Sequence, residues 1–282
     1  MTETSKNPID IQKFPLNSEE HTFKSWKVKY EQSHILHSKC SKEGECNLND
    51  ESNLCEFCVY SQKVPLPQLP DMVFPKNVLC IQNSNGCELN FNPLDALMLV
   101  SDKPMNLEIA CAGAWKESRQ ESGYLGRMIK PFDWTFTTEY KGTLKGNWTV
   151  ENTNERIDLE KLKVKKSILF YHDLTLFEDE LHDNGCAVCS VKIRVMPNEF
   201  FILLRYFLRI DNVLIRINDT RIYHDFETNF VIREYTARQG MIQEIKVPSY
   251  VLTDPSAVSP HVPLIKSCFE KLSFPSASGD SL

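Results

Sequence analysis

The chain has 282 residues, of which 41% are hydrophobic, and a formal net charge of −6. This is enough apolar material for a substantial core. Basic and acidic residues are interspersed rather than blocked, which argues against a nucleic-acid-binding protein. The N-terminus has no basic segment followed by an apolar stretch, and the longest aliphatic-aromatic run is Phe200 to Leu204. We therefore expect no secretory signal, no membrane span, and a location in the cytoplasm, with the nucleus as a second compartment.

The domain organisation follows from where polar sequence accumulates. Residues 1–22 are polar, and so are residues 276–282, and we predict that both segments are disordered. No Gly/Ser-rich or charged linker divides the chain between them. Residues 23–275 are therefore predicted to form one globular domain, which we expect to be a monomer.

Several elements outside the centre of the chain have clear signals. Alternating side chains predict strands at residues 23–35 and 168–181. Residues 78–82 and 88–91 flank an Asn-Ser-Asn-Gly turn and are predicted to form a hairpin. A helix is predicted from Ser259, with apolar residues at helical spacing behind it.

A compact helix start is predicted at Asn92-Pro93-Leu94-Asp95. Asn92 can cap free backbone amides, Pro93 fits the first helical position, and Asp95 faces the positive end of the helix. Asp158 can cap a second short helix, through Lys165. A role at the start of the helix would be enough to explain the presence of Asp95.

The centre of the chain, residues 186–237, is predicted to be a meander of five antiparallel strands. Its breaks coincide with turn chemistry at residues 196–198, 211–212, 218–220 and 225–229. The strand from Glu199 to Asp211 is apolar on both faces, which is typical of a central strand covered on two sides. The fold class predicted is α+β, mostly β: an antiparallel sheet with a few short flanking helices.

Arginines recur along this meander. Neighbouring strands carry Arg194, Arg205, Arg209, Arg216, Arg221 and Arg233. Strand parity could gather several of them into a cationic row on one face of the sheet, although each could equally be a solvated or locally paired surface residue. A sheet face bearing arginines and tyrosines would suit an extended peptide that contains acidic groups.

Four of the ten cysteines are closely spaced. Cys40, Cys46, Cys55 and Cys58 have the spacing C-x5-C-x8-C-x2-C, within a polar insertion at about residues 37–60. The closing C-x2-C resembles a zinc knuckle, whereas the other two spacings are irregular. Two interpretations stay open: a zinc-knuckle adaptor, or a disordered insertion that bears reduced thiols. Elsewhere in the sequence we expect no metal or other cofactor.

The densest ionisable cluster offers an alternative of a different class. Glu178, Glu180 and His182 would share one face of a strand and turn, which is compatible with a metal-dependent enzyme. A solvated hairpin end explains the same residues. The sequence contains no phosphate-cradling glycine loop, nucleophile elbow or nucleophilic cysteine signature.

Five long sequence runs resemble a known family. They are 131–144 (PFDWTFTTEYKGTL), 176–185 (LFEDELHDNG), 190–196 (SVKIRVM), 207–223 (FLRIDNVLIRINDTRIY) and 233–236 (REYT). These strings are similar to those of the TOR signalling pathway regulator-like proteins, the TIPRL family. The resemblance covers roughly residues 23–275.

The resemblance implies a cytosolic, non-enzymatic regulator that binds the catalytic subunits of the protein phosphatase 2A group. It implies a bent antiparallel sheet with a groove for the phosphatase's C-terminal tail, a link to TOR signalling, and a second partner in the phosphatase chaperone of the alpha-four type. The positions that the family uses for phosphatase association fall on Asp95, Ile157, Ile217 and Asp219. By their location on the same sheet we add Arg221 and Tyr235.

Two features depart from the family pattern. Ile217 stands where the family usually has Met, which keeps an apolar contact and loses flexibility. The cysteine-bearing insertion at about residues 37–60 is longer than the resemblance leads us to expect.

Each implied site residue also has a purely structural interpretation. Asp219 is an ordinary turn residue in Asn218-Asp219-Thr220. Ile157 could staple the helix that follows it, and Ile217 and Tyr235 could be packing residues.

Overall fold

The computed structural model describes residues 16–42, 46–47, 50–100 and 135–275. The predicted disorder at residues 1–15 and the predicted tail at 276–282 lie outside the described residues. So do residues 131–134, the first four of the sequence run 131–144.

The smaller of two sheets has five antiparallel strands in the order β1-β2-β4-β5-β6. These are β1 (Asn17–Phe23), β2 (Trp26–Gln32), β4 (Val78–Asn83), β5 (Glu88–Phe91) and β6 (Thr143–Lys145). The hairpin predicted at residues 78–91 is confirmed, with Leu79 opposite Phe91. Apolar residues alternate along β2 and β4, so one face of this sheet is buried.

The larger sheet has eight antiparallel strands in the order β3-β8-β9-β10-β11-β12-β13-β7. They are β3 (Met72–Val73), β7 (Thr149–Asn152), β8 (Phe170–Asp179), β9 (Gly185–Met196), β10 (Glu199–Ile210), β11 (Leu214–Asp225), β12 (Phe230–Met241) and β13 (Leu264–Ser273). The strands β8 to β12 follow one another in sequence and in space.

The described helices are short: α1 (Glu56–Lys63), α2 (Pro93–Met98), α3 (Leu159–Lys163) and α4 (Pro255–Val258). Two begin as predicted. The Asn92 side chain accepts the backbone N–H of Asp95 at 2.8 Å, and the Asp158 carboxylate accepts that of Lys161 at 3.0 Å. Within the described part of the chain, no helix has the length and apolar character to cross a membrane.

The two sheets share one hydrophobic core. The smaller sheet contributes Trp26, Ile81 and Phe91, all almost fully buried. The larger contributes the even-numbered side chains of β10, from Phe200 to Ile210. Burying each large side chain is worth roughly 1.5 to 3 kcal/mol against exposing it, so β10 is a main anchor of the fold. The predicted class, mostly β with antiparallel strands and short helices, is confirmed, although the sequence indicated one sheet rather than two.

Residues 186–237 hold four strands of the meander, β9 to β12, and not the five predicted for them. The turn expected at Asn218-Asp219-Thr220 is wrong, because β11 runs through these residues without a break. All three are buried polar residues in mid-strand. The Asn218 amide donates to the Thr138 carbonyl at 2.7 Å, and Asp219 is held by arginine. Tertiary partners therefore override a local turn preference.

Two predictions at the ends of the chain also fail. Residues 17–22 were expected to be disordered but form most of β1, which pairs along its whole length with β2. The helix predicted after Ser259 is a short 3₁₀ turn, Ser259–His261, followed by strand β13. Pairing of β13 with both β12 and β7 satisfies its backbone groups and outweighs the helical spacing of its apolar residues.

His224 is buried among aromatic rings at one end of the core. Its ring lies 4.9 Å from that of Trp26 and 5.2 Å from that of Phe200, centroid to centroid. Its Nδ1 is 2.7 Å from the Phe230 carbonyl oxygen and donates to it. Burial lowers the pKa of His224 to about 4, so the imidazole is neutral at physiological pH.

This buried histidine predicts a pH dependence of stability. Between its folded pKa of about 4 and its unfolded value near 6.5, only the unfolded chain takes up the proton, so the free energy of unfolding falls as pH falls through this window. We expect wild type to lose about 2 kcal/mol more than His224→Phe between pH 7.5 and 5, measured by urea unfolding. The Thr228 hydroxyl, 3.1 Å from the Phe230 carbonyl, keeps that acceptor satisfied in the variant. Parallel pH profiles for the two proteins would contradict the prediction.

Candidate functional site

The face of the larger sheet that points away from the core, which we call the outer face, is covered at two places. Near one end of the strands, Phe207, Ile215 and Ile217 form a second apolar cluster beneath residues 242–262. Toward the other end, α3 lies against the sheet. The covering segments leave the middle of the outer face open.

A cavity of about 660 Å³ occupies this opening, and we call it the sheet groove. Its floor is formed by β9, β10, β11 and β12, and its walls by α3 and by residues 256–260. It is lined by Leu159, Leu162, Lys163, Arg194, Phe201, Leu203, Arg205, Arg221, Thr236, Arg238, Ser256, Ser259 and Pro260. The apolar residues lie on the floor and on both walls.

The sheet groove is cationic. Arg194, Arg205, Arg221 and Arg238 come from four adjacent strands, and Lys163 adds a fifth positive charge from α3. Cross-strand register explains the convergence, because directly opposed residues share a face. Among the described residues that line the groove there is no Asp or Glu. Such a surface favours anionic ligands.

The predicted arginine row is confirmed in part. Arg194, Arg205 and Arg221 lie in the groove as parity indicated. Arg209 shares the outer face but pairs at 2.7 Å with Asp211, outside the lining. The remaining two of the six side chains, Arg216 and Arg233, point to the opposite face, where they contact Gln239 and Glu270 respectively.

Asp219 lies on β11 beneath the lining of the groove and is almost fully buried. Its carboxylate accepts two hydrogen bonds from Arg205, at 2.7 Å from Nε and 2.8 Å from Nη2. Arg221 Nη2 lies 3.5 Å from the same carboxylate. Arg205 also donates to the Ser256 hydroxyl at 2.9 Å, which ties the floor to one wall. Burial alone would lower the pKa of Arg205, but the bonds and charge of Asp219 outweigh it and raise that pKa.

Ile157 and Ile217 support the walls rather than line the groove. Ile157 immediately precedes Asp158, the N-cap residue of α3. Its backbone N–H donates at 2.8 Å to the buried carboxylate of Glu234 on β12. Ile217 packs beneath Val258 and Val262 in the second apolar cluster. The two residues therefore hold opposite walls of the groove on the sheet.

A second ionic cluster fixes the chain around α3. Glu199 is buried and accepts from the Tyr223 hydroxyl at 2.8 Å and from the Lys166 ammonium. Lys161 Nζ lies 3.4 Å from it. Burial alone would raise the pKa of Glu199, but Lys166, Tyr223 and Lys161 together lower it. A smaller cavity of about 260 Å³ opens here, lined by residues of α3, its C-terminal extension and Arg194.

Asp95 and Tyr235 are not brought into the groove. The Asp95 carboxylate accepts from the Asn92 amide at 2.8 Å and from the Thr143 hydroxyl, both beside the smaller sheet. Tyr235 is paired across the strands with Thr220, one position away from Asp219, and so points to the opposite face. Its hydroxyl is buried without a hydrogen-bond partner among the described residues. Of the six predicted positions, Arg221 alone lines the groove, and Asp219, Ile157 and Ile217 build it.

The structure also brings the four clustered cysteines together. Their sulfur atoms all lie within 4.8 Å of one another, with 3.5 Å between Cys40 and Cys46 and 3.8 Å between Cys40 and Cys55. None of the four is joined in a disulfide, and all are partly exposed. Burial alone would raise the pKa of Cys55, but backbone N–H groups of Cys58 and Ser41 lower it to about 6.

The alternative site for a metal-dependent enzyme does not assemble. In the described ranges, the four cysteines are the one group of three or more His, Cys, Asp and Glu residues placed to hold a metal ion. Glu178 is half-buried near the end of β8, Glu180 is exposed just beyond it, and His182 lies in a 3₁₀ turn. They form no such group, so this hypothesis has no assembled site within the described ranges.

Comparison with known proteins identifies the family of this chain. The model of the TIP41-like family matches residues 72–246, which include the whole meander. The chain belongs to the TIP41-like family. The human TIP41-like protein is 42% identical over 269 residues, covering 94% of this chain and 93% of the relative. A Saccharomyces cerevisiae relative named type 2A phosphatase activator TIP41 is 36% identical over 233 residues, covering 73% of this chain and 65% of the relative.

Some groove residues have only weak signals in the sequence. Arg238 lies one residue beyond the predicted end of the meander, so the prediction missed the fourth arginine of the floor. Leu159, Leu162 and Ser256 belong to the walls, whose docking depends on long-range contacts. The helix cap at Asp158 locates α3 along the chain but does not indicate what it covers.

The buried pair in the groove floor predicts non-additive stabilities. Asp219→Leu leaves Arg205 buried and unpaired, and we expect it to cost about 3 to 5 kcal/mol in the free energy of unfolding. The double variant Arg205→Met/Asp219→Leu should regain most of that loss, because two apolar side chains need no charge partner. Urea unfolding of the single and double variants measures the coupling. Arg209→Ala, which breaks an exposed pair with Asp211, serves as the control and should change stability by less than about 1 kcal/mol.

Equal instability of the Asp219→Leu single variant and the double variant would contradict this account. It would mean that Asp219 contributes through something other than its pairing with Arg205.

Proposed function

We propose that this protein is a non-catalytic regulator of type 2A Ser/Thr phosphatases, which binds the catalytic subunit and receives the subunit's C-terminal tail in the sheet groove. The observation that carries the proposal is the groove itself, with arginines from four adjacent strands and apolar walls. Membership of the TIP41-like family supports it, as do two yeast relatives whose names describe type 2A phosphatase activators.

The groove chemistry suits an extended, carboxylate-bearing peptide. Arginine guanidinium groups bind carboxylates with two parallel hydrogen bonds, which gives both attraction and orientation. The Arg194 Nε is buried and has no partner among the described residues, so it is a donor in need of an acceptor. Phe201 and Leu162 offer apolar contact to side chains of the peptide between its charged groups.

The arginines of the floor have different roles in this proposal. Arg205 is committed to Asp219 and Ser256, and it holds the floor and one wall together. Arg221 is about a third exposed and only weakly engaged by Asp219, at 3.5 Å. We therefore assign the direct recognition of carboxylates to Arg194 and Arg221, and a positioning role to Arg205 and Asp219.

The wider setting of the proposal comes from the family alone. It comprises a role in TOR-linked signalling, the phosphatase chaperone of the alpha-four type as a second partner, and action in the cytoplasm and the nucleus. The protein would act as a monomer.

The first test is titration of this protein with a purified phosphatase 2A catalytic subunit, intact and without its C-terminal tail. We expect Arg221→Glu to weaken binding of the intact subunit by at least about 30-fold, since losing one desolvated charge pair costs 2 kcal/mol or more. Removal of the tail should weaken wild-type binding similarly. On the shortened subunit, Arg221→Glu should have no further effect, because the tail that it would repel is gone.

Arg209→Glu is the matched control, because it makes the same change of charge on the same sheet face outside the groove. It should change affinity by only a few fold. Equal effects of Arg209→Glu and Arg221→Glu would mean that the net charge of the face matters and not the groove. If affinity stayed high both after removal of the tail and in Arg221→Glu, the phosphatase would bind elsewhere on the molecule.

A further inference from the structure

The cluster of Cys40, Cys46, Cys55 and Cys58 lies outside the sheet groove and outside residues 72–246, which match the family model. Nothing in the proposed phosphatase function uses it. The segment that bears it connects β2 to β3 and is largely polar. Its cysteines nevertheless converge on one point.

The distances between the sulfur atoms fit a single tetrahedral ion. Four thiolates at about 2.3 Å from a zinc ion are separated from one another by about 3.8 Å. The two separations of 3.5 Å and 3.8 Å lie close to this value, and no pair of the four exceeds 4.8 Å. A multi-iron cluster would hold its cysteine sulfurs farther apart, because the inorganic core lies between them.

The backbone around the cluster is arranged as in a thiolate site. The N–H of Cys55 donates to Cys46 Sγ at 3.3 Å, the type of outer-shell contact that orients a metal ligand. Cys55 occupies the N-cap position of α1, and Cys58 lies in the first turn of this helix, where the helix dipole favours negative charge. Lys42 closes the loop with bonds of 2.8 and 2.7 Å to the carbonyl and side-chain oxygens of Asn53.

We propose that Cys40, Cys46, Cys55 and Cys58 bind one structural Zn²⁺ ion as a tetrathiolate site. All four sulfur atoms bind as thiolates, and those still protonated release their protons on binding; with four protein ligands the ion has no open position for catalysis. The metal fastens the loop that carries Cys40 and Cys46 to α1, whose Tyr60 is anchored in the main core. This assignment does not rest on the phosphatase proposal.

Zinc content of the full-length protein, purified without a metal-binding tag from zinc-supplemented cells, tests the site. We expect one zinc per chain by elemental analysis, and loss of that zinc in a Cys55→Ser/Cys58→Ser variant. A Cys80→Ser/Cys186→Ser variant alters two thiols outside the cluster and should keep its zinc. Reconstitution with Co²⁺ should give the visible absorption and the sulfur-to-cobalt charge-transfer bands of a tetrahedral tetrathiolate in wild type and in the Cys80→Ser/Cys186→Ser variant, but not in the Cys55→Ser/Cys58→Ser variant.

Three results would overturn the proposal. They are protein without zinc that gives no Co²⁺ spectrum, zinc that survives the Cys55→Ser/Cys58→Ser change, and iron in place of zinc. A fourth contradicting result would be oxidation of the cluster to two disulfides. Thiol counting in denatured protein detects it, because the ten thiols of the chain would fall to about six. Circular dichroism of the double variant should match wild type, since both sheets lie outside the segment.

Discussion

A carboxylate buried in the middle of a strand is the constraint around which the outer face is built. The Asp219 carboxylate is almost fully buried and is paired with Arg205, and a guanidinium as buried as that of Arg205 needs such a partner. Because a buried ion pair is often no more stabilising than two apolar residues, the contribution that the structure shows for this pair is geometric. It fixes the Arg205 guanidinium, which also donates a hydrogen bond to Ser256 in one wall, and it leaves Arg221 with only a 3.5 Å contact to Asp219.

The two walls are attached to the sheet by different kinds of interaction. The wall at residues 256–260 stands on apolar packing, with Ile217 beneath Val258 and Val262. The wall formed by α3 is held by ionic and hydrogen-bonded groups, chiefly Glu199 with its lysine and tyrosine partners. Apolar packing weakens little with salt, whereas ion pairs with exposed lysines are screened. The α3 side is therefore the one whose position responds to ionic conditions, and it borders the peptide site.

Much of the fold was predictable because strand alternation is a local signal. The central position of β10 follows from its two apolar faces, and three arginines of the groove follow from parity along consecutive strands. The error at Asn218-Asp219-Thr220 has a specific cause. Short polar residues indicate a turn when read alone, and they can lie within a strand only if distant groups such as Thr138 satisfy them. Sequence alone does not reveal these partners.

The candidate site was less predictable than the fold, since it depends on which face each residue occupies. Tyr235 was grouped with Asp219 because both belong to the same sheet, yet the register pairs Asp219 with Thr236 and sends Tyr235 to the other side. A difference of one residue in strand register decides whether a side chain faces the groove or the core. The walls depend on docking of segments far along the chain, for which no periodicity gives a signal.

The cysteine segment is a further case in which the spacing of residues along the sequence does not show which of them meet in space. Its spacing fixed the lengths of the loops between cysteines but not whether four sulfur atoms could meet, so zinc binding and disorder were both consistent with it. Convergence requires a helix that starts at Cys55 and a loop that folds back onto that start. A short polar loop gains too little from packing to pay for this ordering. Metal–thiolate bonds supply the missing free energy, which is why the geometry of the sulfur atoms carries more weight than the composition of the segment.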